Sequence, residues 1–235
     1  MIRAVLRKIN VPVLILLSSA AANAHDIDQL EFDVRQLAAA RFDHLDAIQT
    51  ASRYGLLGVE HILSGVDHLM FVLSLAMLLG FRRQLLVAIT GFTLAHSLTL
   101  ALAALDWVRW PAGPVEAWIA LSIVMVSAEA LSQRDSATRR FPFIVALVIG
   151  LIHGLGFANA LLEVGLPGNN WISALLSFNA GVELGQLGVI GVGRLLAHQI
   201  EARPWSARAR SLVLMVFGSV AAWWVIERVW AMVVR

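Results

Sequence analysis

Along most of this chain the hydrophobic positions form long unbroken runs, with neither the alternation of a strand nor the polar face of a surface helix. Six such runs fall at approximately 57–79, 85–105, 115–132, 142–163, 171–193 and 211–233. Each is close to the length that about 30 Å of hydrocarbon requires at about 1.5 Å per residue. Residues 26 to 52 read differently. Ile27, Leu30, Val34, Leu37, Leu45 and Ile48 recur at three-four spacing within a polar stretch, which describes an amphipathic helix too charged to cross. The first residues have a basic start, a short apolar core from Val11 to Leu17 and a small-x-small end at Ala22-Asn23-Ala24, the pattern of a cleaved signal peptide. The expected fold is therefore an all-α integral membrane protein. A signal peptide (1–24) and an extracytoplasmic amphipathic segment (25–55) precede a six-transmembrane-helix bundle (56–235), with short connections that make consecutive helices antiparallel.

Composition agrees with that pattern and narrows the function. The chain is 59% hydrophobic and 14% charged, with a mean hydropathy of +0.75, which excludes a soluble domain of 235 residues. A net charge of +2 gives no basic face for nucleic acid, and three of the basic residues (Arg3, Arg7 and Lys8) sit at the extreme N-terminus. No cysteine is present, so thiolate ligands, disulfides and a Cys nucleophile are excluded. No GxxxxGK[ST] loop is present, so no nucleotide is expected.

The arginines set orientation. Arg82 and Arg83, then Arg134, Arg139 and Arg140, then Arg203, Arg208 and Arg210 fall in alternate loops, while the other loops carry only Arg109. The positive-inside rule puts the three arginine-rich loops inside and the mature N-terminus outside. Trp107, Trp110, Trp171 and Trp230 then gather at the outer interface as an aromatic belt.

Against this background the ionisable residues within the runs stand out. An ionised side chain at the centre of a transmembrane helix costs at least ~2.5–3.5 kcal/mol on insertion scales, so such groups face the bundle interior and are paired or functional. Counted along straight helices, Asp67 and His68 lie about ten residues, roughly 15 Å, below the outer surface. His96, His153 and Glu183 reach a similar depth in runs two, four and five. Glu60 and His61 are expected higher, at the outer mouth, with His61 seven residues from His68 and on the same helical face. Thr93, His96 and Ser97 form one polar stripe; Asn179, Glu183 and Gln186 form another.

Several of these residues have a plainer reading. A lone membrane His or Asn serves as interhelical glue, and Gly150, Gly154, Gly181, Gly185 and Gly188 read as close-packing surfaces. Glu116, Glu227 and Arg228 read as interfacial, and Glu129 as a partner of Arg134 or a snorkelling side chain.

Imidazole and carboxylate donors without sulfur suit divalent metals such as Ni, Co or Zn rather than Cu(I). The same residue types build proton relays or, around an open zinc position, a hydrolase.

In this order along the chain, GVEHILSGVDHLMF, FTLAHSLTLALAAL, VEAWIALSIV, GLIHGLGFA and FNAGVELGQL resemble the HupE/UreJ family of bacterial membrane proteins, over about residues 55 to 195. The resemblance implies a multi-pass protein of the bacterial inner membrane, and the arginine pattern then puts the mature N-terminus in the periplasm. It also implies a nickel permease serving hydrogenase and urease maturation, with Asp67, His68 and the His153-Gly154 pair as ligand candidates. Two positions depart from the nickel-permease pattern. Gly58 stands where that pattern has His-Pro, and Ala160 stands where a Glu follows its His-Gly motif. The chain thus resembles a divergent branch in which Glu183 is available for the carboxylate role.

The expectation is an inner-membrane permease for a divalent transition metal, a transporter rather than an enzyme. Its metal set is Asp67, His68, His96, His153, Glu183 and His61, lined by Glu60, Thr93, Asn179 and Gln186. The expected partners are the lipid bilayer and the metal ion, with no nucleic acid and no nucleotide; assembly into a homo-oligomer stays open. Two alternatives also stay open. One is an intramembrane metal-dependent hydrolase acting on a lipid or lipid-linked substrate, using Ser64, Ser97 or a metal-bound water. The other is a structural accessory membrane protein. Separately, His25 at the mature N-terminus can bind Cu(II) through its amine and ring, with His44 as a further donor, though no spacing requires it.

Overall fold

A computed structural model describes residues 46–234 apart from 106, 109, 133, 165, 166, 168 and 169. The expected signal peptide, His25, His44 and most of the amphipathic segment lie outside the described residues. Among the described residues every regular element is a helix: α1 (Ala47–Ser64), α2 (Val66–Leu79), α3 (Arg83–Ala104), α4 (Ala112–Ser132), the short α5 (Ala137–Arg140), α6 (Pro142–Val164), α7 (Trp171–Glu201) and α8 (Ser206–Val233). Helices α3, α4, α7 and α8 are each long and apolar enough to cross a membrane, and α1 with α2 makes a fifth crossing if the pair is one span. α6 supplies a shorter apolar stretch, Pro142–Phe157.

The first apolar run departs from expectation. Instead of one straight helix over 57–79, α1 ends at Ser64, α2 restarts at Val66, and the two are bent by 75°. The backbone remains hydrogen-bonded through the bend: the Gly65 N–H donates to the His61 carbonyl at 3.0 Å, and the Gly65 carbonyl accepts from Leu69 N–H at 3.0 Å. Gly65 has an ordinary extended conformation, so its requirement for glycine is spatial. A Cβ there would stand 2.8 Å from His68 Nδ1 and 3.1 Å from Asp67 Oδ1. At its other end α1 opens on a capping box, in which Asp46 accepts from Gln49 N–H at 2.7 Å and the Gln49 side chain accepts from Asp46 N–H. The helix therefore starts inside the stretch expected as a separate surface helix.

Lipid supplies no hydrophobic drive between apolar helices, so close backbone approach through small residues carries much of their association. α1 meets α7 in ascending register: Gly55 against Ser177 and Gly181, Gly58 against Phe178 and Val182, and Ile62 against Gly185. The two helices therefore run parallel. α3 and α6 do the same, with Gly91 against Phe143, Phe92 against Gly150, and His96 against Gly154. α4 and α8 run antiparallel, from Gly113 against Met232 to Ser127 against Gly218. A chain crossing in alternate directions produces this set of pairings. Gly150, Gly154, Gly181 and Gly185 are thus close-packing surfaces, whereas Gly188 and Gly191 have open space beside them.

Two apolar clusters result. The larger joins Phe71, Leu75, Ile89, Phe92, Ile123, Ile149 and Leu214; the smaller joins Tyr54, Ile62, Leu100, Phe178 and Val182. At the arginine-rich end α2 stops at Gly80, whose φ of 70° a side chain would strain. The last carbonyls of α2 are capped there by cations. Arg139 Nη1 donates to Leu78 at 2.9 Å, and Arg210 Nη2 donates to Met77 at 2.8 Å. Glu129 does not pair with Arg134; its Oε2 is buried with no hydrogen-bond partner among the described residues.

Candidate functional site

The bend at Gly65 creates the site. It turns α1 so that His61, expected near the mouth, meets His68 with ring centroids 4.5 Å apart. His96 of α3 completes the group, at 6.0 Å from His61 and 6.4 Å from His68. One ligand atom from each of these three residues lies within 4.8 Å of the others. Three nitrogens each about 2.1 Å from one ion are about 3.4–3.6 Å apart, so the three imidazoles need to draw in by up to about 1.4 Å to share an ion. They sit at the junction of the two apolar clusters, with His61 against Phe157 and Phe178 and the other two against Phe92.

Hydrogen bonding decides which nitrogens are available. The Asp67 carboxylate accepts from His68 N–H at 2.8 Å and from the ring at Nδ1 at 3.0 Å. A carboxylate only accepts, so Nδ1 carries the proton and Nε2 keeps its lone pair. That Nε2 is buried with no hydrogen-bond partner among the described residues.

His153 of α6, 5.3 Å from His68 between ring centroids, is set by a similar relay. The Ser122 hydroxyl donates to the Ile119 carbonyl at 2.7 Å, so its oxygen accepts from His153 Nε2–H at 3.2 Å. His153 Nδ1 is left with its lone pair, buried and without a partner among the described residues. Both nitrogens of His96 and Nε2 of His61 are likewise buried without a partner among the described residues. Buried polar atoms ordinarily find partners, so this concentration of orphaned imidazole nitrogens is what a cation site presents. Gly154 lets the pair of helices close here: a Cβ on it would stand 2.4 Å from the His96 carbonyl and 2.1 Å from Thr99 Oγ1.

Not every expected residue joins this group. Glu183 is engaged elsewhere, its Oε1 accepting from Thr90 at 2.9 Å, and Gln186 Oε1 accepts from Thr93 at 3.0 Å. Asn179 Nδ2 donates to the Leu175 carbonyl at 2.8 Å, and Glu60 is exposed. Glu183 and Gln186, with Thr90 and Thr93, form a seam between α3 and α7, while the Asn179 amide lies beside the His96 ring. Other residues at the site were missed by the sequence reading. A cavity of about 390 Å³ is lined by His61, Asp67, His68 and His153, and also by Glu116, Phe157, Trp224 and Arg228. Ser122 was missed too. The polar character of Glu116 and Arg228 within apolar runs was the available signal, and both read as interfacial.

Comparison with known proteins places the chain. Neither a curated protein nor a solved structure matches it. The family model described as HupE / UreJ protein matches residues 38–228, which includes every helix described above except the last residues of α8. With that match over most of its length, the chain belongs to the HupE/UreJ family.

Proposed function

We propose that this protein is an inner-membrane permease for a divalent transition metal such as nickel or cobalt, with His61, His68 and His96 as the first ligands and His153 beside them. The observation that carries this reading is the convergence of three imidazoles from α1, α2 and α3 on one point, each with a buried nitrogen that has no hydrogen-bond partner among the described residues. Asp67 orients His68 and fixes its tautomer, as second partners of metal-binding histidines do. A hydrated cation enters the adjoining cavity and exchanges waters for imidazole nitrogens. Neutral nitrogen donors hold a borderline divalent ion well and allow it to leave. The mature N-terminus is on the periplasmic side in this reading, and movement is inward. Nickel or cobalt uptake into proteoliposomes tests it. Wild-type protein is expected to load the vesicles, and His68→Ala to lower the rate at least tenfold while remaining folded. Equal uptake by the variant overturns the reading.

A second reading draws on the same three-imidazole set, which matches the ligand count of a hydrolytic zinc centre. Its serine nucleophiles are poorly supplied. Ser64 donates to the Glu60 carbonyl and Ser97 to the Thr93 carbonyl, each at 2.6 Å within its own helix. Elemental analysis separates the two readings: about one equivalent of zinc retained through purification favours the enzyme, and a readily exchanged metal favours the permease.

A further inference from the structure

The cavity that the histidines line is also lined by a charged pair, which the permease reading leaves without a role. Glu116, in the first turns of α4, and Arg228, in the last turns of α8, both line it. Arg228 Nε lies 2.5 Å from Glu116 Oε2, and its Nη1 lies 3.2 Å from Glu227 Oε2. A guanidinium has no lone pair to offer a metal and does not deprotonate. In a cavity with a divalent cation as cargo it acts only as a competing charge.

We infer that Arg228 is the resident counter-cation of the chamber, holding Glu116 until an incoming divalent cation takes that carboxylate in its place. This rests on the permease reading and adds a residue that tunes affinity for the same cargo. Three observations support it.

The first is that His68 and His153, 96% and 99% buried, line the same cavity and each has a nitrogen with no partner among the described residues, as a ligand site would. The second is size. Six waters at about 30 Å³ each occupy about 180 Å³, so a cavity of about 390 Å³ admits a cation with its hydration shell. Such an ion can touch Glu116 before it loses water to imidazole. The third is exchangeability. The Arg228 and Glu116 side chains are 38% and 45% exposed, and ion pairs of that exposure are weak enough to trade partners. Glu227 lies on the same helix as Arg228 and keeps the guanidinium anchored once Glu116 has been released.

The test is cobalt(II) titration of the detergent-solubilised full-length protein, followed by visible absorption, with thermal unfolding as a check on the fold. Arg228→Gln is expected to bind cobalt about fivefold to tenfold more tightly than wild type. The same change in a Glu116→Gln background is expected to bring less than a twofold gain, because the carboxylate being competed for is gone. Glu227→Gln, which leaves Arg228 to Glu116 alone, is expected to weaken binding about twofold to threefold. It decides the matter if Arg228→Gln does not fold. Unchanged or weaker binding by Arg228→Gln, an equal gain in both backgrounds, or unchanged or tighter binding by Glu227→Gln overturns the inference while the permease reading stands. A wild-type protein that binds no cobalt overturns both.

Discussion

Two polar regions sit within the apolar helices of this protein, and they are built differently. In the seam between α3 and α7, Thr90 meets Glu183 and Thr93 meets Gln186 at 2.9 and 3.0 Å, side chain to side chain. In the histidine chamber Asp67 stands behind His68 and Ser122 behind His153, and the opposite nitrogens of those two rings have no hydrogen-bond partner among the described residues. Both regions put costly groups into a low-dielectric interior. One bonds side chain to side chain across two helices and so helps hold them together; the other leaves imidazole nitrogens unbonded, as the proposed cation site requires. Residue type alone does not separate these roles. The direction of each hydrogen bond does.

The largest expected effect comes from closing the space that lets the chamber form. Gly154→Ala would place a methyl 2.4 Å from the His96 carbonyl, a backbone atom that cannot step aside without moving α3. Overpacking of this kind costs about 1–3 kcal/mol, and this site falls at the upper end because backbone must shift. Thermal unfolding in detergent should show the loss, and cobalt binding should weaken with it as His96 is displaced. A variant with wild-type stability would mean that the helices are not held at this distance.

A smaller effect, confined to the chamber, is expected from Asp67→Asn. The amide can donate as well as accept, so His68 is no longer fixed with its proton on Nδ1 and its lone pair on Nε2. Loss of such a second partner typically costs 10–100-fold in metal affinity. Cobalt titration should show a decrease in that range with little change in unfolding temperature. A fall in stability without a fall in affinity would make Asp67 a helix-terminal group of α2 and nothing more.

How much of this was legible beforehand depended on what a one-dimensional pattern carries. Run length and polarity located the helices, and the small residues Gly150, Gly154, Gly181 and Gly185 marked the surfaces along which α3–α6 and α1–α7 close. Depth counted along straight axes failed at Gly65. It put His61 at the mouth, whereas the 75° bend brings it against His68. The Ser64-Gly65 dipeptide was a turn signal in plain view, masked by the apolar run on either side. Glu183 illustrates a different limit. Its periodicity with Asn179 and Gln186 correctly gave a polar face on α7, but which helix that face meets depends on packing between distant segments. Ser122 and Arg228 were invisible as site residues for the same reason.

The smallest effect sharpens the comparison from the seam side. Thr93→Val keeps the shape of the side chain and removes the hydroxyl that donates to Gln186 Oε1. Interhelical hydrogen bonds of this sort average about 0.6 kcal/mol inside membrane proteins, because the separated helices find other partners. Here Gln186 Nε2 is already buried and unpartnered, so losing the bond at Oε1 leaves the whole amide unsatisfied. The expected loss is therefore at or somewhat above that average, about 1 kcal/mol. Cobalt affinity should move less than about threefold, since Thr93 lies one turn from His96 without touching the chamber nitrogens. An affinity loss of tenfold or more would instead make the seam an extension of the site, and the division between helix glue and open ligands would have to be redrawn to include Gln186.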